Sequence, residues 1–328
     1  MLFEVVYPAL YLSAKTRQAL RRARARLGLA PRDLAMVTYH PESFHRVTCW
    51  RLRRIDVELM LRLAPMRAAR LSIERFERTR RMPERNVPLT TAAVSVTRLV
   101  WRGKSVVLRS YGPEAGPRIL ALHGWNGRAS MLRKLAEALA VDGWRVLVPD
   151  LPGHGDSDGT RYSFYDLGRA VAELFDGQSF DAVIGHSAGG LIAALALSHG
   201  LNATAFVPVG SPVSLSGLLR AYVEITQMPA RSLPHIERYY ARRYGMPPET
   251  VGPDLIAGLP VRMLVVHEQS DWQVGAENAR GLAAAKPGAE LLITTGFTHL
   301  SVVNAPPVVR AIAAFLRANE AVGGSAHA

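Results

Sequence analysis

Gly185-His186-Ser187-Ala188-Gly189 places a serine between two glycines, at the spacing a nucleophilic hydroxyl needs on a sharp strand-to-helix turn. The backbone of such a turn is crowded, so the residues two before and two after the serine must lack side chains. Gly185 and Gly189 meet that need. The hydroxyl then stands at the amino terminus of a helix, where unpaired N–H groups and the helix dipole favour developing negative charge. The N–H of Ala188 is the natural donor to an oxyanion formed there. The five-residue pattern is common by itself, and its weight comes from a strand before it and a helix after it.

A second oxyanion donor is expected from the loop after the preceding central strand, which reads His123-Gly124-Trp125-Asn126-Gly127. Gly124 lets the backbone turn inward, so the Trp125 N–H is the candidate donor and its ring a candidate wall for an acyl group. A serine hydroxyl is a poor nucleophile at neutral pH and needs a base, which in turn needs a partner to fix its tautomer. Asp271 follows one strand-like run in His267-Glu268-Gln269-Ser270-Asp271-Trp272, and His299 follows the next in Gly296-Phe297-Thr298-His299. Strand ends converge on ligands in open parallel sheets, so Ser187, His299 and Asp271 are the expected nucleophile, base and acid.

Rivals stand beside each assignment. Glu268 is nearer its strand end and is the fallback acid. Asp150, Asp156 and Asp158 lie in a Gly-rich loop that turn formation explains. His123, His154 and His186 lack the acid, strand and turn that precede His299 and read as supporting or packing residues. No H-x-x-x-H or H-E-x-x-H pair occurs, and the single cysteine, Cys49, reads as a small buried side chain rather than a zinc ligand or nucleophile. The glycines spell neither a phosphate loop nor a dinucleotide fingerprint, so no metal and no cofactor is expected.

From about residue 94 onward, short β-branched runs alternate with amphipathic stretches, the signature of a mostly parallel sheet flanked by helices. Strands are expected at 94–101 and 105–111 as an antiparallel pair, then at 118–122, 145–149, 180–185, 204–209, 261–267 and 290–294. Helices are expected at 130–141, 164–175, 187–198, 275–285 and 306–316. Between 211 and 258 the rhythm is interrupted by helical stretches 218–228 and 236–244, set apart by Pro229, Pro234 and Pro247. This insertion is a candidate lid, with Tyr222 and Met228 among the side chains that would set specificity. The expected division is 1–88, a basic helical extension with a helix at 14–27 and a long Arg-rich helix over about 56–81; 89–210 and 259–328, the two parts of an α/β core; and 211–258, the lid.

The net charge is +13, of which residues 1–88 contribute +11 and the rest +2. Nearly all of the excess is arginine along helical stretches without aromatic interleaving, which argues against specific nucleic-acid binding and leaves weak contact with an anionic membrane surface as the partner this segment allows. The apolar run 5–14 contains Pro8, follows Glu4 and precedes the basic residues, the reverse of a secretory signal. With one cysteine and no disulfide, the expected location is the cytoplasm. Nothing in the sequence sets an oligomeric state.

Over roughly residues 90 to 318 the chain resembles the α/β-hydrolase superfamily, in particular its serine esterase and lipase members. The landmarks are His123-Gly124-Trp125, Asp150-Leu151-Pro152-Gly153-His154-Gly155-Asp156-Ser157, Gly185-His186-Ser187-Ala188-Gly189-Gly190, Asp271, and His299 ahead of a closing helix. The resemblance implies an eight-stranded sheet, a lid after the sixth strand and cofactor-free chemistry through an acyl-serine. A serine nucleophile argues against dehalogenase and epoxide hydrolase activity. The expected substrate is a small-molecule carboxylic ester; a thioesterase or carbon–carbon bond hydrolase with the same triad is the alternative, and a non-catalytic ligand-binding protein of this fold is a third reading.

Overall fold

The computed structural model describes residues 58–79, 95–226 and 228–323. The expectations placed on 1–57 and 80–94, including the helix at 14–27 and the burial of Cys49, lie outside the described residues.

Eight strands form one sheet: β1 Ser95–Trp101, β2 Lys104–Tyr111, β3 Arg118–Leu122, β4 Arg145–Pro149, β5 Ala182–His186, β6 Ala205–Val209, β7 Arg262–Glu268 and β8 Glu290–Thr294, in the spatial order β1-β2-β4-β3-β5-β6-β7-β8. β1 pairs antiparallel with β2 and β2 with β4, while every pairing from β4 through β3 to β8 is parallel. The central strands are short apolar runs buried on both faces, as parallel strands under helices must be. Alternate residues serve the two sides. Ile119, Ala121, Val146, Val148, Ile184, Val207 and Val266 share one core with Leu135 and Leu139 of α2 (Arg133–Val141) and Val308 and Ile312 of α9 (Pro306–Gly323). Against the other side pack α3 (Phe164–Leu174) and α4 (Ala188–Ser198), which touch each other closely. Gly168 makes this approach possible, since a Cβ there would lie 2.5 Å from Leu195 Cβ.

The expected elements shift in places for identifiable reasons. The run at 180–185 divides at Asp181, whose carboxylate accepts from Arg118 N at 2.8 Å, leaving Ser179–Phe180 to pair with Asn202–Ala203 as a separate two-stranded piece. The expected continuous helix over 56–81 is interrupted: residues 58–63 are helical, Ala64 is not, and α1 restarts as Pro65–Phe76. Proline lacks the N–H a helix interior uses and pushes the residue before it out of helical geometry, yet suits the first turn. The chain leaves α1 before residue 81, and Arg78 forms an isolated bridge with Arg161. Between residues 211 and 258 the helices are α5 Leu215–Ile225, α6 Leu233–Tyr244 and the short α7 Pro253–Gly258. Pro234 belongs to the first turn of α6 rather than to a linker. The remaining helix, α8, covers Glu277–Ala285.

The described residues divide into two compact units, one comprising those up to Ser72 with those of Arg220–Tyr239, the other those of Ile73–Leu219 and from Tyr240 onward. In the smaller unit Leu61 and Ala68 pack with Met60 and Met228, the Tyr222 hydroxyl donates to Ser72 O at 3.1 Å, and Glu58 pairs with Arg231. Tyr222 and Met228 thus serve the packing of that unit. No helix among the described residues is long and apolar enough to cross a membrane.

Candidate active site

Ser187 is the single residue between the end of β5 and the start of α4, with φ 55° and ψ −127°. A non-glycine side chain in that region is strained and persists only where the surroundings impose it. The glycines show what imposes it here. A Cβ on Gly185 would lie 2.6 Å from Gly189 and Gly190 backbone atoms, and one on Gly189 would lie 2.4 Å from Leu122 O. The turn is therefore pressed against its own helix and against β3. Ser187 N donates to Val209 O at 2.8 Å, fixing the turn to β6.

His299 Nε2 is 2.9 Å from Ser187 Oγ, and His299 Nδ1 is 2.6 Å from Asp271 Oδ2. A carboxylate only accepts, so Nδ1 carries the proton and Nε2 presents its lone pair to the serine hydroxyl. Asp271 is held by its other oxygen, which accepts from Gln273 N at 2.9 Å and Val274 N at 3.1 Å. Asp271 and His299 are both buried, and Ser187 is half-buried. Gly210, at φ 59°, holds a backbone conformation that favours glycine and lies beside the imidazole, whose Cε1 would be in ordinary contact at 3.5 Å with a Cβ there.

Glu268, the alternative acid, is placed apart from His299. Its Oε1 accepts from Ser270 Oγ at 3.0 Å, and its Oε2 from Thr294 Oγ1 at 3.2 Å and Phe297 N at 3.3 Å. Burial alone would raise its pKa, but these donors outweigh it and hold the carboxyl below its ordinary range. It ties the turn before Asp271 to the loop before His299, so it braces both partners of the hydroxyl relay.

The loop after β3 approaches the serine closely: a Cβ on Gly124 would stand 3.0 Å from Ser187 Cβ and 3.5 Å from its Oγ. Gly124 O accepts from His123 Nδ1 at 2.8 Å and from Gly127 N at 2.9 Å. No peptide here is cis, so the Trp125 N–H of the same peptide plane points away from those donors. Leu151 N donates to His123 Nε2 at 3.1 Å, which fixes the tautomer that His123 uses. His123 is thus a brace for the Gly124–Trp125 peptide. Burial lowers its pKa despite nearby Asp150. Ala188 opens α4, and its N–H is one of the first-turn donors that no helix carbonyl can reach.

The remaining sequence candidates are structural. Asp150 is buried and accepts from Ala129 N at 2.6 Å, Asp156 N at 3.0 Å and Arg109 Nη1 at 2.8 Å; burial opposes ionisation, but these donors outweigh it and lower its pKa. Asp156 pairs with Arg109 at 2.9 Å. Asp158 accepts from Ser105 N at 3.2 Å. His154 bonds Pro152 O at 3.0 Å, and burial pushes its pKa down to about 3. What the sequence did not disclose is the surround of Trp125: its ring stacks on Phe164 and Phe76, with centroids 5.1 and 5.8 Å away. Phe164 was legible only as a helix residue and Phe76 only as part of an Arg-rich stretch, so no sequence signal pointed to either. Among the described residues no group of three or more His, Cys, Asp or Glu side chains could hold a metal ion.

Residues 119–320 match the alpha/beta hydrolase family, which is more than half of the 328-residue chain. The chain belongs to that family. Among proteins similar to this alpha/beta hydrolase, the magnesium-chelatase 30 kDa subunit of Rhodobacter capsulatus is 41% identical over 87 residues, 25% of this chain and 30% of the relative. The thermostable monoacylglycerol lipase of a Bacillus species is 31% identical over 112 residues, 32% of this chain and 45% of the lipase. The matched stretches thus span less than half of either relative. A hydrolase of Pseudomonas aeruginosa superposes with a TM-score of 0.54 at 22% identity, over 68% of this chain and 99% of its own. That likeness is one of fold.

Proposed function

We propose that this chain is a serine hydrolase that cleaves a carboxylic ester through an acyl-serine intermediate. The observation that carries the reading is the continuous relay from Ser187 Oγ through His299 to Asp271, at 2.9 and 2.6 Å, on a serine held in a strained turn at a helix start. In this mechanism Ser187 Oγ attacks the acyl carbonyl while His299 Nε2 takes its proton, and Asp271 stabilises the imidazolium that forms. The carbonyl oxygen becomes an oxyanion between the N–H groups of Trp125 and Ala188. One such donor contributes about a hundred- to a thousandfold in rate. His299 then gives the proton to the departing alkoxide, and a water molecule repeats the sequence in reverse to release the acid and free Ser187.

A fluorophosphonate probe followed by mass spectrometry tests the reading, together with nitrophenol release from esters of graded acyl length. Labelling at Ser187 with turnover supports it, and both must vanish in Ser187→Ala. Labelling without ester turnover moves the reading to a thioester or carbon–carbon substrate, and absence of labelling abandons the nucleophile.

A further inference from the structure

The Trp125 ring is nearly parallel to those of Phe164 and Phe76, with interplanar angles of 8° and 10°, and Phe76 lies 6.0 Å from Phe164 at 18°. Phe164 is fully buried, while Trp125 and Phe76 are half-buried and keep part of their surface open. Trp125 follows the glycine that a Cβ would bring to 3.0 Å from Ser187 Cβ, so the backbone that carries the indole passes directly beside the serine. Phe76 comes from the stretch that precedes the α/β core, and that stretch is firmly held. Thr79 N donates to Thr160 O at 2.9 Å and Tyr162 N to Glu77 O at 3.1 Å. The Tyr244 hydroxyl donates to the Glu77 carboxylate, and Glu74 pairs with Arg161 at 3.7 Å. His154 meets Trp125 edge-on at 5.4 Å, and burial keeps it uncharged at neutral pH.

We propose that Phe76 is a specificity-determining residue: with Trp125 it forms a flat wall that receives the acyl part of the substrate, which carries a planar, uncharged aromatic or conjugated group next to the scissile carbonyl. This rests on the hydrolase reading and deepens it. The physical warrant is that near-parallel rings offer a planar guest stacking beyond simple burial of area, a preference of about two- to tenfold per ring contact, which a flexible alkyl chain does not collect.

The test compares 4-nitrophenyl cinnamate with 4-nitrophenyl hexanoate for the full-length wild type, Phe76→Leu, which keeps apolar bulk without a ring, and Phe76→Tyr, which restores it. The wild type is expected to favour the cinnamate. Phe76→Leu is expected to lower the cinnamate-to-hexanoate ratio of kcat/KM by about two- to tenfold, and Phe76→Tyr to recover it. A parallel arm measures cinnamate and hexanoate binding to Ser187→Ala by calorimetry, with and without Phe76→Leu, and expects the same shift without turnover. If Phe76→Leu does not fold, Phe76→Met takes its place. An unchanged ratio in both arms, or equal losses on both acyl groups, overturns the aromatic wall while probe labelling of Ser187 leaves the hydrolase reading standing. A shifted binding ratio in a protein that neither labels nor turns over esters supports the wall and overturns the hydrolase reading.

Discussion

His186 Nε2 lies 2.8 Å from the main-chain carbonyl of His299, with the two rings 5.1 Å apart. A carbonyl only accepts, so His186 donates, and the residue just before the candidate nucleophile holds the backbone of the candidate base. Burial pushes the His186 pKa down to about 4, so the ring acts as a neutral strut at neutral pH. His186→Leu removes the donor and leaves a buried carbonyl unpaired, a cost of about 1–3 kcal/mol in stability. We expect kcat to fall about tenfold with KM nearly constant, because the base is displaced and the acyl site is not. Steady-state kinetics beside a urea melt check this; a change confined to KM would contradict the strut.

Two glycines near the serine should respond in opposite ways to alanine. In Gly124→Ala the new Cβ would meet Ser187 Cβ at 3.0 Å and His186 O at 3.3 Å, contacts that a few tenths of an ångström relieve. The displacement falls on the Gly124–Trp125 peptide, so the expected result is a folded protein with activity about a hundredfold down. In Gly189→Ala the Cβ would stand 2.4 Å from Leu122 O and 2.8 Å from His123 O, both backbone atoms of β3 and its loop. That variant should lose several degrees of Tm or fail to accumulate. Melting curves and kinetics on the pair decide it, and two equally stable, equally slow variants would be the wrong outcome.

The two carboxylates of the Asp271 loop separate by assay. Asp271→Asn keeps the shape but not the tautomer control and should cost on the order of ten-thousandfold in kcat. Glu268→Gln replaces a carboxylate that accepts from Ser270, Thr294 and Phe297, so it should lower stability by about 1–3 kcal/mol and reduce kcat by less than about tenfold. A nearly silent Asp271→Asn beside a severe Glu268→Gln would transfer the acid role to Glu268.

The sheet was legible because its central strands are short apolar runs, and the serine turn because Gly185 and Gly189 punctuate a strand and a helix. The sequence ranked Asp271 above Glu268 by loop reach alone, since Glu268 ends β7 and Asp271 lies three residues on, and only side-chain direction shows which carboxylate meets His299. It could not find Phe76 either. Contact with Trp125 joins positions 49 apart in the chain, and no local pattern says which residue of an Arg-rich helix faces a distant indole. The break before Pro65 has a visible sequence cause, because a proline restarts a helix at its first turn rather than continuing it.

The last prediction concerns Glu77, which burial raises from near 4.5 to about 7 even though the Tyr244 hydroxyl and Arg243 favour its ionised form. Because the folded-state pKa lies above the unfolded one, the folded protein holds a proton through this interval that the unfolded chain has released. Its contribution to stability is therefore fully present below about pH 4.5, declines as pH rises, and is gone above about pH 7. His154 and His186 work the other way, with folded values of about 3 and 4 against an ordinary 6.5, so their contribution is present above pH 6.5 and fades on acidification. Glu77→Gln isolates the first effect, since the amide can still accept from Tyr244 but cannot ionise. Thermal melts of wild type and Glu77→Gln from pH 4.5 to 8.5 should show the wild type losing ground to the variant steadily up to about pH 7, after which the gap stays level. A gap independent of pH would mean that Glu77 titrates in the fold as it does in water, and one moving in the opposite direction that the fold lowers its pKa.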